Sequence, residues 1–264
     1  MSLSAPRRPS PLPPVRWGHL VPPPPFLVSL ALLAGLWEAA GRALDFLFLP
    51  PLSQVGRMLW RLLLDGTIAA ALADSLLALA GGMALAVAAG VGIGTLMALS
   101  APVREALEVY IDAAMAAPMV AFVPVFILVF GLGYLTRVAT VVIFAFFPIV
   151  VNTFSAMRRP QEDLLEMARA FGATPAQLFW RVRLPMAYPA IRAGVQVGMG
   201  RGVDGLITGE VLIAAAGLGG LVARFGNAFT MDRLWAVVFV IAALALLAAR
   251  AAGAARPRSL QETG

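Results

Sequence analysis

Three charged residues interrupt one long apolar segment of the chain, residues 189–215, namely Arg201, Asp204 and Glu210. A charged side chain in lipid costs about 2.5–3.5 kcal/mol on insertion scales, so these groups must face protein or water. Arg201 and Asp204 share one helix face and can pair there. Glu210 lies about 120° around the helix from Asp204 and needs another partner. All three are candidates for a solute pathway in which Arg201 attracts an anion. The alternative is an internal ion pair that fixes packing.

Other chemistry is excluded by the residue types. The chain has no cysteine, its single histidine is His19, and all 20 basic residues are arginine. Disulfides, thiol nucleophiles, zinc sites and Ser-His triads are therefore ruled out. A phosphate-binding P-loop requires a lysine, so ATP hydrolysis must belong to a partner. We expect no enzyme activity, no metal site and no cofactor.

The composition is that of an integral membrane protein. The 264 residues are 60% hydrophobic and only 13% charged. A span requires about 20 apolar residues, so the length predicts about six transmembrane helices in an all-α fold. The net charge of +6 comes from arginines scattered between apolar segments, which argues against nucleic-acid binding. The predicted spans are 26–44, 75–99, 113–132, 138–156, 189–215 and 234–252.

The arginines also predict how the chain is oriented. They are most frequent in the segments that lie inside if the N-terminus is cytoplasmic, and the positive-inside rule favours that orientation. Both termini and the long loop 157–188 are then cytoplasmic. Residues 1–25, rich in proline and arginine, are predicted to be a disordered tail, residues 26–252 the membrane domain, and residues 253–264 a second tail.

Small residues and amphipathic stretches predict further contacts. Residues 52–63 have apolar side chains at helical spacing, so we expect a helix lying on the outer surface. Residues 217–233 are either a short helix dipping into the outer leaflet or a packing loop. Small residues at every fourth position let helix backbones approach closely, either within one subunit or across a dimer. These ladders are Gly82, Ala86, Gly90 and Gly94 in the second span, and Gly194, Gly198 and Gly202 in the fifth.

The loop 157–188 carries the signals of two short helices. The first runs from Glu162 to Phe171 and is closed by Gly172, a residue suited to a left-handed C-cap. The second starts at Thr174 as N-cap, with Pro175 in the first position and Gln177 completing a capping box. Leu184-Pro185 is predicted to end it and turn the chain back to the membrane. Such a compact unit on a membrane loop predicts a docking site.

The spacing in this loop is specific. Glu166, Ala168 and Gly172 form E-x-A-x-x-x-G, and Val182-x-Leu184-Pro185 follows after nine intervening residues. The pattern closely resembles the EAA motif of ABC importer permeases, from which Met167 and Val182 depart while keeping apolar character. A solvated connector does not account for Phe179 and Trp180 in the loop.

The resemblance covers residues 26–252. Segments 49–55, 130–133, 146–153 and 217–219 are similar to the nitrate, taurine, aliphatic sulfonate and bicarbonate permeases. It implies a type I (MetI-like) permease fold in the bacterial inner membrane, and a homodimer served by an extracytoplasmic binding protein. It also implies two ABC ATPase subunits, each bound to the coupling helix in one loop. The transported solute is then a small anion such as a sulfonate, taurine or nitrate. The predicted ATPase-coupling residues are Glu166, Ala168, Gly172, Phe179, Leu184 and Pro185.

Two other classes of protein compete with this interpretation. An ATP-independent secondary carrier or channel would share the composition and the buried charges, but it would not need the docking motif. A membrane enzyme would need clustered His, Asp or Lys side chains near one face of the bilayer, and the sequence has no such cluster.

Overall fold

The computed structural model describes residues 24–44, 46–158 and 162–254, and all regular structure in these ranges is helical. The predicted tails 1–25 and 253–264 lie almost entirely outside the described residues. The helices are α1 (Pro24–Ala43), α2 (Leu52–Leu64), α3 (Thr67–Leu99), α4 (Ala101–Ala116), a 3₁₀ turn (Met119–Phe122), α5 (Val123–Phe130), α6 (Tyr134–Arg158), α7 (Glu162–Ala170), α8 (Pro175–Gln177), a π-helical segment (Leu178–Arg183), α9 (Leu184–Ile213), α10 (Gly217–Asn227) and α11 (Met231–Ala254). The predicted all-α fold is confirmed.

Three described helices are long and apolar enough to cross a membrane by themselves. These are α3, α6 and residues Met231–Ala251 of α11. Two bent pairs pass the same test together, α4 with Met119–Phe130 and Pro175–Ile213 with α10, bent by 99° and 44°. The described chain therefore offers three to five candidate spans by length and composition, fewer than the six predicted.

The predicted span 113–132 is wrong as a single straight helix. It is divided between α4 and α5 by the 99° bend. Ala117 is extended, with φ −76° and ψ 145°, and Pro118 follows it. The ring of a proline clashes with the preceding residue in a helical conformation, so α4 ends there. Pro118 was therefore the sequence signal for this break, although the segment is apolar throughout.

Helix α6 lies between two glycine ladders, one on α3 and one on α9. A Cβ atom on Gly90 of α3 would lie 2.8 Å from Ile149, and one on Gly198 of α9 would lie 2.7 Å from the same side chain. Gly94 is similarly tight, with the backbone oxygen of Val150 at 2.7 Å from its Cβ position. Both ladders therefore serve contacts within the subunit, and Ile149 is fully buried between them.

The predicted helix at 52–63 is confirmed as α2, and its apolar side is covered by protein. Val55 is 1% exposed and Leu62 is 5% exposed. Both pack in a cluster with residues of α10 and α11, including Leu218 and Val237. The segment 217–233 contains the helix α10, and the first residues of this helix, from Gly217 to Leu221, are buried within the subunit.

Candidate functional site: the loop between α6 and α9 and the charges of α9

Helix α7 ends as the sequence predicts. Gly172 is left-handed, with φ +80°, and donates its N–H to the carbonyl of Arg169 at 2.9 Å. The N–H of Ala173 reaches the carbonyl of Ala168 at 3.0 Å. These two bonds form a Schellman C-cap, in which a residue with a Cβ at position 172 is strained. The turn after α7 is therefore fixed by hydrogen bonds as well as by Gly172.

The capping box that starts α8 is also confirmed. The backbone N–H of Thr174 donates to the side-chain carbonyl of Gln177 at 2.9 Å, and the N–H of Gln177 donates to the Thr174 hydroxyl at 3.3 Å. Both bonds satisfy amides that the helix itself leaves unpaired. Two rigid caps thus flank the turn at residues 172–174.

The prediction that Leu184-Pro185 ends the second helix is wrong. Residues Pro175–Ile213 form one continuous helix, in which the π-helical segment Leu178–Arg183 lies between α8 and α9. The N–H of Leu184 donates to the carbonyl of Phe179, five residues earlier. A proline in an α-helix collides with the carbonyl four residues before it. The wider π turn makes room for Pro185, so the loop is joined to α9 without a hinge.

The predicted coupling residues divide into an exposed and a packed group. Glu166 and Pro185 are exposed, and Gly172 has open space around its Cβ position. Phe179 and Leu184 pack on a cluster at the end of the membrane helices that contains Met157 and Ile191; Ala168 is half-buried. The loop is therefore anchored on the helices by one set of side chains while the other set stays free.

Large apolar side chains are exposed on the same loop. Phe171 is 86% exposed, Trp180 is 66% exposed and Met167 is 53% exposed. Leu165 of α7 is by contrast 3% exposed and holds the helix in place. Neither Phe171 nor Met167 was among the predicted coupling residues, although both lie inside the E-x-A-x-x-x-G pattern. Exposed aromatic residues on a rigid unit are typical of a protein-binding surface.

Arg201 and Asp204 lie on an exposed face of α9. They share that face as predicted, but no ion pair joins them, and neither has an ion-pair partner among the described residues. The neighbouring Gly200 is exposed too, with nothing within 4 Å of its Cβ position. The expected internal pair is thus not formed, and both charges are available to something outside the subunit.

Glu210 is in a different environment, with 0% of its surface exposed. Its carboxylate accepts a hydrogen bond from the Ser75 hydroxyl at 2.8 Å and one from the backbone N–H of Gly219 at 3.0 Å. Arg137 lies 3.6 Å away. The N–H of Leu218 in turn donates to Ser75 at 2.9 Å. These groups tie α3, α6, α9 and the start of α10 together, and in this conformation Glu210 does not line an open pathway.

The sequence indicated that Glu210 needs a partner without showing which one. The predicted spans 113–132 and 138–156 leave Arg137 in the short segment between them, whereas it lies in α6 and is 7% exposed. Ser75 is 0% exposed. An arginine and a serine near the start of apolar segments, at the same predicted depth as Glu210, are the signal that could have found them.

A cavity of about 510 Å³ opens between α2, α10 and α11. Its lining includes three arginines, Arg61, Arg224 and Arg233, and one carboxylate, Asp65. Hydrogen bonds from Thr67 hold the pKa of Asp65 below its usual value. The cavity lies at the start of α3, the end of the helices opposite to α7, and its lining is positively charged.

Comparisons with known proteins agree with the loop motif. Residues 90–260 match the family described as "Binding-protein-dependent transport system inner membrane component". The taurine transport system permease protein of Escherichia coli K12 is 31% identical over 83% of this chain and 82% of its own length. The riboflavin transport system permease protein of Chloroflexus aurantiacus is 30% identical, with the same coverage of both chains.

The fold has a solved counterpart. An inward-facing structure of the MetNI methionine ABC transporter matches with a TM-score of 0.60 and 19% identity, covering 69% of this chain and 90% of that chain. At that identity the match concerns the fold alone, and it confirms the predicted MetI-like permease fold. The chain therefore belongs to the binding-protein-dependent transport system inner membrane components, and it is a permease subunit of an ABC importer and not an enzyme.

Proposed function

We propose that two copies of this chain form the translocation unit of an importer for a small anion of the sulfonate, taurine or nitrate type. The observation that carries the choice of an anion is Arg201, a cation on an exposed face of α9 with no ion-pair partner among the described residues. A cation in low dielectric attracts an anion strongly. The similarity to a taurine permease supports the same class, and the equally extensive similarity to a riboflavin permease makes the test necessary.

The loop is proposed to couple the subunit to a separate ATPase on the cytoplasmic side. Phe171, Trp180 and Met167 provide the exposed apolar surface, and the caps at Gly172 and Thr174 keep it rigid. Because α8, the π-helical segment and α9 are continuous, a displacement of the loop moves α9 directly. Glu166 is proposed to pair with a basic group of the ATPase.

Arg201 and Asp204 are proposed to line the pathway, as the exposed charges of the helix that the loop drives. Glu210 is assigned to the support of this helix and not to solute contact, since its carboxylate is saturated by Ser75, Gly219 and Arg137. The positive cavity at the opposite end, with Arg61, is proposed to face the extracytoplasmic binding protein. Both chain termini are then cytoplasmic.

Uptake by intact cells tests the substrate class. A strain lacking this gene is given labelled methanesulfonate, nitrate or taurine, a zwitterion that carries a sulfonate group, with riboflavin as an uncharged control. We expect uptake of at least one of the first three solutes to be lost and to return with the wild-type gene. A gene with Arg201→Gln, expressed and assembled at wild-type levels, is expected not to restore it. Loss of riboflavin uptake alone, or full rescue by Arg201→Gln, would contradict the anion proposal.

A further inference from the structure

Helix α9 has two faces of opposite character. One carries Gly194, Gly198 and Gly202 and packs closely inside the subunit. On the other, Val197, Gly200, Arg201 and Asp204 are all exposed. At 100° per residue, these four residues lie about 60–160° from Gly198 on one side of the helix, so the exposed face flanks the packed one. Nothing in the described chain covers it.

This exposed face cannot remain against lipid. Arg201 and Asp204 lie well inside the 30-residue helix, where an uncompensated charge is costly. Among the described residues, neither Arg201 nor Asp204 has an ion-pair partner, although they are close enough in sequence to pair. One face thus presents a free cation and a free carboxylate one helical turn apart.

We propose that this face packs against the same face of a second copy through two reciprocal ion pairs, Arg201 of each copy with Asp204 of the other. A two-fold interface brings the same surface together on both sides, so a face with one cation and one anion is complementary to itself. Copies inserted in the same direction place their α9 helices in parallel and at equal depth. The two residues differ in depth by about 4.5 Å, a distance that an arginine side chain spans.

The absence of a side chain at Gly200 suits this arrangement. Its Cβ position has nothing within 4 Å in the subunit, so the glycine is not required by contacts of its own chain. Between two parallel helices it allows the backbones to approach, which shortens the path between the opposed charges. The inference rests on the proposed dimer and names the groups that hold it together. It also provides a gate, because an anion that binds Arg201 displaces Asp204 of the other copy.

Disulfide cross-linking tests the interface, because the chain has no cysteine of its own. Val197→Cys places one thiol on the proposed face, and Gly92→Cys places one on an exposed site of α3 with nothing within 4 Å. In oxidised membranes without added substrate, we expect Val197→Cys to give a covalent dimer and Gly92→Cys to remain monomeric. In the Val197→Cys background, Arg201→Ala or Asp204→Ala should lower the cross-linked fraction about tenfold.

A mixed dimer separates pairing between copies from pairing within one. Differently tagged Arg201→Ala and Asp204→Ala copies are produced together, each with Val197→Cys. Their heterodimer keeps one of the two pairs between copies and none within a copy, so its cross-linked fraction should exceed that of either homodimer by about threefold. Equal cross-linked fractions for all three dimers would overturn the proposal. Arg201 and Asp204 would then interact with the solute or with each other in one helix, and not across the interface.

Failure of this inference is distinct from failure of the proposed function. If Val197→Cys does not cross-link while an ATPase still copurifies with the chain, the interface is wrong and the transporter assignment stands. If no ATPase copurifies with the wild-type chain, the proposed coupling fails whatever the cross-linking result.

Discussion

The Ser75 hydroxyl lies 2.8 Å and 2.9 Å from the two carboxylate oxygens of Glu210, a residue 135 positions later in the chain. The contact joins the first half of α3 to the end of α9, and the N–H of Leu218 completes it from α10. Gly217, with φ +74°, brings the backbone so close to the Glu210 carboxylate that any Cβ there would overlap it. The junction between α9 and α10 is thus built around one buried carboxylate.

Removing that carboxylate should destabilise the subunit strongly. Glu210→Ala leaves Arg137 buried without its counter-charge and the N–H of Gly219 without an acceptor. Breaking one side of a buried ion pair typically costs about 3–5 kcal/mol. We expect a clear fall in the thermal unfolding temperature in detergent, and a smaller one for Glu210→Gln, which keeps an acceptor oxygen.

A double-mutant cycle measures the interaction between Arg137 and Glu210 separately from their other contacts. Arg137→Ala combined with Glu210→Ala should lose less stability than the sum of the two single changes, because the double variant has no unpaired buried charge. Strictly additive losses would show that Arg137 and Glu210 do not interact.

The glycine ladder on α3 gives a prediction with a control on the same helix. Gly94→Ala forces a Cβ against the backbone oxygen of Val150, which cannot move without displacing α6. Overpacking of this kind costs about 1–3 kcal/mol. Gly92→Ala meets no neighbour within 4 Å and should be neutral or slightly stabilising, since alanine favours the helix. Equal unfolding temperatures for the two variants would contradict the close packing of α3 on α6.

The exposed aromatic side chain of the loop should matter for partner binding and not for stability. Phe171→Ala removes a side chain that is 86% exposed, so the unfolding temperature should stay within error while copurification of the ATPase falls. Leu165→Ala removes a side chain that is 3% exposed, so we expect its main effect to be a lower unfolding temperature. Undiminished ATPase binding by Phe171→Ala would remove that residue from the docking surface.

Local signals in the sequence were sufficient to predict the two helix caps of the loop. Gly172 as C-cap and Thr174 with Gln177 as capping box are short-range features, and each is present in the structure. The family assignment followed from the same stretch. The continuation of the helix through Pro185 was missed, because a proline normally ends a helix and the π turn that accommodates it has no simple sequence pattern.

Long-range relationships could not be predicted from the sequence. The partner of Glu210 is set by how α3 and α6 pack, which spacing within one segment does not reveal. The glycine ladders left open whether the contacts lay within the subunit or across a dimer, and only the position of Ile149 between them decides it. The missing pair between Arg201 and Asp204 likewise depends on side-chain conformations, whereas their shared face was predictable.

ATPase copurification measures the central claim, that the loop after α6 couples this permease to ATP hydrolysis. The tagged chain is isolated from its source cells in mild detergent, and vanadate-sensitive ATP hydrolysis is assayed for the wild type, Gly172→Trp and Gly66→Trp. Gly66 has a φ of +78° and nothing within 4 Å of its Cβ position, so it matches Gly172 in backbone conformation and open surroundings. It precedes α3, at the end of the helices opposite to the loop. We expect hydrolysis to copurify with the wild type and Gly66→Trp and to be lost with Gly172→Trp at equal membrane insertion. Wild-type hydrolysis and transport by Gly172→Trp would contradict the account.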